Sequence, residues 1–552
     1  MEQPFSKGLA DIFRCLSLLC LLLLVVEQSA ADTSLNCQVL EKQSTETDAY
    51  AGQRILDIRF VSQSVFDLSN PDENTRVYRL LNRLHRNTRQ SVIQSQLLFK
   101  EGEAVSPDLL AESGRLLRSQ AYLASAQVRI AEACAEGVIV EVITRDVWTT
   151  EPQITASREG DENKSGLALT EKNVAGTGNT VSISYLSTAD RSEIGYDFFS
   201  PHIFNSRIAL RVAHSDNSDG QNNIIEVQKP FYSLQTNWAV GFSSYDITQT
   251  ERIRFLDETI NRFQQESNRT EVFGGLKLYG NASAVHRAKI GATHDRRIFS
   301  ERFDTVLVPE DFNVVSSWLE YEYLENRFAK YKNLNYLHRV EDVATGRQFR
   351  FRVGYGQDRA FNKEKVWTSS LRYSDVLSLK DDHLLSAAVQ HTGFHYQESS
   401  NRNEQLYSAA LEYFYLIDSN DRWYGRLQYQ RGRNLRQHNE LTIGGSEGLR
   451  GYPLDFLRGT EQSIFTLERR KVTDLHILNL LRVGILAFYE IGRVGGGPYE
   501  NSFFLSDVGV GLRIASSKAR VGNVVHIDWA YPLAKNDEIK SIQFTIKASQ
   551  RF

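Results

Sequence analysis

The run Gly444-Gly445-Ser446-Glu447-Gly448-Leu449-Arg450-Gly451-Tyr452 is where this sequence concentrates residue types able to do chemistry. Two chemistries compete for it. The first five residues match G-x-S-x-G, the turn that presents a nucleophilic serine between a strand and a helix, with an acid and a histidine following in the chain. Here Gly451 and Pro453 follow within a turn, no helical pattern begins, and the only downstream histidines are His476 and His526, neither in a triad context. A serine hydrolase is therefore the weaker reading, and Ser446 is not assigned as a nucleophile. The second chemistry is ionic. An arginine set among glycines on a loop that folds into an interior needs a carboxylate, because an unpaired buried charge is strongly disfavoured. Glu468 and Glu490 lie on the two strand-like runs that follow, so they are the candidate partners of Arg450. There is no H-E-x-x-H, no P-loop lysine motif and no Cys/His spacing suited to zinc, and the 12 histidines are scattered. No catalytic residue, metal or cofactor is assigned, and the chain is not expected to be an enzyme.

The elements that must position these residues are strands. Arg426–Arg431 and Ser463–Arg469 bracket the glycine-rich loop, which continues past Pro453 to Gly459. Alternating runs recur from Trp148 onward, among them Thr180–Tyr185, Trp238–Tyr245, Phe349–Tyr355 and Ala409–Tyr415, separated by Gly, Asn, Asp and Ser clusters. Strands without intervening helices indicate an all-β sandwich or barrel. The last alternation decides between them: Ile542, Phe544, Ile546, Ala548 and Phe552 fall on one face, with Gln550 the misfit. An apolar face that persists to the final residue suits a barrel strand with lipid outside and water inside. The mean hydropathy of −0.38 is compatible, since only alternate positions need be apolar. The 29 Phe, 24 Tyr and 6 Trp would supply interfacial girdles. About twenty strand-like runs can be counted by this criterion. One stretch reads differently: Ile253, Leu256, Ile260 and Phe263 share a face if it is helical, as in a structured extracellular loop. A net charge of −4 gives no pull toward nucleic acid.

The amino-terminal residues read as an export signal, residues 1–31: Lys7 and Arg14 precede the apolar run Cys15–Val26, which is too short to span a membrane, and Ser29 and Ala31 offer cleavage spacing. A linker, 32–51, follows. Of four cysteines, Cys37 and Cys134 remain in the mature chain and are expected to pair, with two free thiols as the alternative. Residues 52–147 have a different texture. Ile55, Ile58 and Phe60 begin a strand; Val77, Leu80, Leu81 and Leu84 fall at helical spacing, as do Val92, Ile93 and Leu97. Ser106 caps a helix with Pro107 at its first position and Leu109, Leu110, Ser113, Leu116 and Leu117 inward. Leu123–Ile130 and Val138–Thr144 complete a small α+β unit ahead of the barrel, 148–552.

On these residues the chain resembles the outer-membrane assembly and secretion barrel superfamily, which includes the BAM-complex core barrel, two-partner secretion transporters and the mitochondrial sorting barrel. Residues 97–123, with a Gly turn, an amphipathic helix and an aromatic before the next strand, resemble a polypeptide-transport-associated (POTRA) domain. Leu449-Arg450-Gly451-Tyr452 matches the family's lid-loop tip, Glu171–Asn179 its early periplasmic turn and Asp528–Leu533 its penultimate strand. The resemblance implies a single-POTRA bacterial surface antigen type with about sixteen antiparallel strands. It implies a lid of Gly444, Gly445, Leu449, Arg450, Gly451 and Tyr452 held in the lumen by Glu468 and Glu490, the latter at a position where the family more often has Asp. It further implies a carboxy-terminal insertion signal at Phe544, Ile546 and Phe552, and a lateral seam between first and last strands. The partners implied are outer-membrane lipid, unfolded polypeptide clients and, through the POTRA-like domain, periplasmic chaperones or accessory subunits. Insertion and secretion are not distinguished. The alternative is a passive porin or surface antigen with the same girdles and terminal Phe.

Overall fold

The computed structural model describes residues 37–40, 47–159, 162–281, 283–337, 340–445, 448–497, 503–518, 524–534, 539 and 542–549. The residues expected to form the export signal, as well as Ser446 and Phe552, lie outside them.

Twenty strands close into one antiparallel barrel, from Thr150–Glu159 to Gln543–Ser549, each paired with its neighbours in chain order. The expectation of sixteen is corrected; the count of alternating runs was the better guide. The physical reason is visible between Thr180 and Lys229. Four runs there, Thr180–Ser187, Ser192–Ser200, Ala209–Asn217 and Gly220–Lys229, are short, yet each is joined to the next by a turn and enters the ring. An alternating run in a barrel wall has nowhere else to satisfy its backbone, so none is spare. The outward residues are apolar and uncovered: Ile154, Leu167, Ile183, Leu276, Ile290 and Leu427 are 48 to 63% exposed. A continuous uncovered apolar band around a closed sheet is a lipid-facing surface. Among the described residues no helix is long and apolar enough to cross a membrane. The supposed helix at 253–263 is also corrected. Strands Trp238–Phe255 and Glu258–Gly280 meet in a two-residue turn, with Leu256 and Asp257 at φ 53° and 65°. Positive φ at both turn residues matches the tight hairpin that continues strand twist, and the apparent helical spacing came from two strands reversing direction.

The amino-terminal unit is a four-stranded sheet ordered Cys37–Val39, Leu123–Cys134, Gly137–Asp146, Ile55–Gln63, whose last pair is parallel. The helices Arg76–Leu84, Gln90–Gln96 and Pro107–Ser119 accompany it. The unit therefore begins before Gly52, because Cys37 pairs in register with Cys134 and their sulfurs are bonded at 1.99 Å. Ile55, Val92, Ile93, Leu110, Leu117 and Val140 form the core. One expectation changes. Ser106 occupies the cap position but its side chain makes no capping hydrogen bond. The helix Arg76–Leu84 forms as its spacing predicts; within it Val77, Leu80 and Leu84 are 61, 55 and 66% exposed and Tyr78 is the buried residue.

The unit sits against the barrel turns on its own side. Arg89 N–H donates to Gly176 C=O (2.9 Å), Arg207 donates to Leu97 C=O (2.6 Å), Leu234 N–H to Glu112 (2.8 Å) and Tyr78 Oη to Leu478 C=O (2.5 Å). Strand parity puts all these turns at one mouth and residues 434–460 at the other. At the first mouth the hairpin Phe328–Lys332/Val340–Ala344 turns into the lumen. Its loop residue Leu334 packs on the inward-facing Leu384, Phe414 and Tyr424, and Leu337 on Val472, Leu486 and Phe488. Arg118 of the amino-terminal unit grips the same hairpin through Asp342 at 2.7 Å.

Candidate functional site: the inward-folded loop

Residues 434–460 connect strands Asp421–Arg433 and Glu461–Ile477 and fold back into the barrel. A short ladder, Leu441–Ile443 with Leu457–Gly459, forms the stem. Gly444 and Gly445 have φ of 118° and 76°, a conformation that disfavours side chains, and they start the reversal. Tyr452 C=O then accepts from Gly445 N–H at 3.0 Å. Leu449, Tyr452 and Phe456 are fully buried with Ile443, Ile464 and Val494, which gives the tip its own apolar core.

That core fixes Arg450 against the wall. Its Nη2 donates to Glu468 Oε1 at 2.7 Å and to Glu490 Oε1 at 2.8 Å; its Nε and backbone N–H both reach Glu490 Oε2, at 3.1 and 3.0 Å. The guanidinium lies 3.6 Å above the Phe488 ring centroid, and Nη1 is 3.7 Å from Asp528. All three carboxylates point into the lumen. The wall supplies further charge: Arg470 donates to Glu468 at 2.6 Å and Arg513 to Asp528 at 2.7 Å. Three arginines thus share a site with Glu468, Glu490, Asp507 and Asp528, and hydrogen bonding among them offsets the cost of burying so many charges.

The next two residues are held as tightly. Gly451 N–H donates to Asp507 Oδ2 at 2.9 Å, and a β-carbon on Gly451 would stand 2.6 Å from the Asp507 β-carbon. Only glycine allows that approach. The Tyr452 hydroxyl donates to Ser506 C=O at 2.8 Å.

The structure therefore brings together Gly444, Gly445, Leu449, Arg450, Gly451, Tyr452, Glu468 and Glu490. It leaves Phe544 and Ile546 on the last strand, away from this site, and Cys37–Cys134 in the amino-terminal unit. Sequence reading missed Phe488, Asp507 and Asp528. Asp507 is in register with Glu490 on the neighbouring strand, so the signal was a second carboxylate at a lumen-facing alternate position. In the sequence Asp528 stands out only as part of a strand pattern.

The lumen between the two inward segments holds a polar cavity of about 290 Å³ lined by Asn335 of the hairpin loop, Arg450, Glu468, Arg470 and Arg513. A second, of about 720 Å³, lies between helix Pro107–Ser119, the hairpin and the wall. At the outer mouth the 255–258 hairpin tip covers the loop: Leu256 N–H donates to Phe456 C=O at 2.7 Å, and Arg458 reaches Arg254 C=O at 3.0 Å.

The barrel closes between its first and last strands over three register positions among the described residues, Phe544–Arg158, Thr545–Ser157 and Ile546–Ala156. The adjoining pair, Val524–Pro532 with Gln543–Ser549, has seven.

No protein-family model and no curated protein matches the sequence. Solved structures similar to the chain are so at low identity. CdiB from Escherichia coli aligns at 10% identity and a TM-score of 0.45, over 93% of this chain and 80% of that one. CdiB from Acinetobacter baumannii aligns at 12% and 0.41, over 90% and 74%. BamA from Haemophilus ducreyi lacking POTRA domains 1–3 aligns at 11% and 0.37, over 90% and 84%.

Proposed function

We propose that this chain is a bacterial outer-membrane barrel of the assembly and secretion superfamily, which inserts or translocates unfolded polypeptides. The observation that carries this reading is the Arg450 tip, folded into the lumen and clamped by Glu468 and Glu490 on the two strands after the loop. A passive channel needs neither an occluding loop nor a hairpin entering from the opposite mouth. The amino-terminal unit serves as a periplasmic POTRA-like domain. Ile55–Gln63 is the outermost strand of its sheet, positioned to accept an extended client segment by strand addition.

The seam supplies the mechanism. A closed barrel has no free edge, and an unpaired edge in lipid is strongly disfavoured. With three register positions among the described residues, the joint between Thr150–Glu159 and Gln543–Ser549 is the one that parts. Once parted, it offers backbone donors and acceptors to an incoming strand. The Arg450 clamp braces Glu461–Ile477 and Leu481–Gly495, so this part of the wall, separated from the last strand by two others, keeps its shape while the joint opens.

Photo-crosslinkers at Arg158 and Phe544, in cells, test the reading. Adducts with nascent outer-membrane or exported proteins are expected, and those proteins should be depleted when the chain is absent. Adducts with no polypeptide, together with an unchanged outer-membrane and exported proteome, would refute it in favour of a passive channel.

A further inference from the structure

The helix Arg76–Leu84 leaves a face that the domain core does not use. Tyr78 is its inward anchor, stacked on Phe66 at 4.4 Å between centroids. Val77, Leu80 and Leu84, at positions i, i+3 and i+7, form a strip along the adjacent face and are more than half exposed. Arg76, Arg79 and Arg83 repeat the same spacing on the next arc, all exposed; Arg79 donates to Asn74 at 2.7 Å, and none of the three has an ion pair among the described residues. Residues at this spacing share a helix face.

Place decides what covers the strip. Tyr78 Oη bonds Leu478 C=O in the turn after barrel strand Glu461–Ile477, and Glu73, just before the helix, pairs with Lys518 in the turn after Leu505–Ser516. The helix is therefore pinned to the periplasmic rim. At that turn Leu475, Ile477 and Leu478 are 59, 47 and 80% exposed, and the next strand carries the outward Ile485 up into the lipid-facing wall. The apolar strip is thus tethered to a rim that carries exposed apolar residues of its own, with the arginines on the arc beside it. A short helix with an apolar strip beside a cationic one is built to lie in a membrane interface.

We propose that Arg76–Leu84 anchors the amino-terminal unit to the periplasmic leaflet. Val77, Leu80 and Leu84 enter the acyl boundary, and Arg76, Arg79 and Arg83 bind the phosphates of anionic glycerophospholipid. The inference rests on the membrane-barrel reading above and extends it: the domain is held by lipid as well as by barrel turns, with its sheet facing away from the bilayer.

The test uses the full mature chain in bilayers of phosphatidylethanolamine with phosphatidylglycerol, and in phosphatidylcholine alone. Because Cys37 and Cys134 are bridged, a nitroxide can be attached singly to Leu80→Cys, to Leu427→Cys on the barrel wall and to Asp57→Cys on the domain sheet. Collision with oxygen and with a water-soluble nickel chelate reports depth. Leu80 should resemble Leu427, oxygen-rich and severalfold depleted in nickel collisions, in the anionic bilayer. Arg76→Glu with Arg79→Glu and Arg83→Glu should move it toward the Asp57 value. A Leu80 probe that matches Asp57 while Leu427 is in lipid overturns the inference and leaves the barrel reading standing. A Leu80 probe shielded from both relaxants means protein covers the strip, and also overturns it. Identical depth in both bilayers, unmoved by the charge reversal, overturns the phosphate contact. A water-exposed Leu427 would remove the barrel reading itself.

Discussion

Replacing Arg450 by alanine strips the clamp while leaving its partners in place. Three side-chain hydrogen bonds and ion pairs at 2.7 to 3.1 Å are lost, and Glu468 and Glu490 remain buried in the lumen wall. Breaking a buried pair on one side costs about 3–5 kcal/mol, mostly through the uncompensated charge. At about 1.4 kcal/mol per factor of ten, the inward loop position loses roughly two to three and a half decades of preference over released positions. The apolar core of Leu449, Tyr452 and Phe456 stays, so the loop should become a mixture rather than disappear from the lumen. Export and membrane integration are expected to remain intact. Heat-modifiable gel mobility should shift to a lower melting temperature, external protease should cut between residues 444 and 456 in intact cells, and client transport should fall. Arg450→Lys should recover only part, because an ammonium cannot reproduce the forked contact to two carboxylates. Adding Glu490→Gln to Arg450→Ala should relieve part of the loss, since one stranded charge is removed. Unchanged protease protection, melting and transport in Arg450→Ala would refute the clamp.

Other expectations follow from the same geometry. Gly451→Ala places a β-carbon 2.6 Å from that of Asp507 and should expose the loop to protease with Arg450 still present, at a cost of about 1–3 kcal/mol for overpacking. His438, at the base of the loop, lies against Phe263 and Phe299 and near Arg297, Arg436 and Arg458; burial, then these cations, push its pKa down from 6.5 to about 3. A folded value below the unfolded one means its contribution is complete above about pH 6.5 and is lost as pH falls toward 3. Protease sensitivity of the loop should rise over that window, and much less so in His438→Gln. Removing the Cys37–Cys134 bond, which spans 97 residues, should destabilise the amino-terminal unit by about 2–5 kcal/mol in a thermal melt while the barrel band on a gel stays unchanged. Replacing residues 328–344 with a flexible linker should raise single-channel conductance in planar bilayers, because Leu334 and Leu337 no longer cross the inner mouth; conductance equal to the parent would contradict that occlusion.

Much of this was legible in the sequence because a barrel wall writes itself as alternation. Thr180–Tyr185 and Ala409–Tyr415 announced strands, and the run 444–452 announced a loop with an arginine in need of carboxylates. What was misread shares one cause: local pattern does not carry its partner. Ile253 to Phe263 looked helical because two strands reversing at a two-residue turn can mimic a helical period. The spacing of Val77, Leu80 and Leu84 marked a helix but not which of its faces is buried, because an apolar period does not name what covers it. Glu468 and Glu490 were reachable by order along the chain, whereas Asp507 and Asp528 join the site only through cross-strand register, which a single sequence does not specify. The strand number failed for another reason: sixteen was what the resemblance implied, and this wall has twenty strands.

The seam offers the most direct measurement. Ser157 and Thr545 are register partners across it, at a spacing that suits a disulfide between antiparallel strands. In cells making Ser157→Cys with Thr545→Cys, oxidation should lock the joint and halt delivery of client proteins, and reduction should restore it within the same culture. Delivery that continues at the parental rate with the bond fully formed would contradict the account.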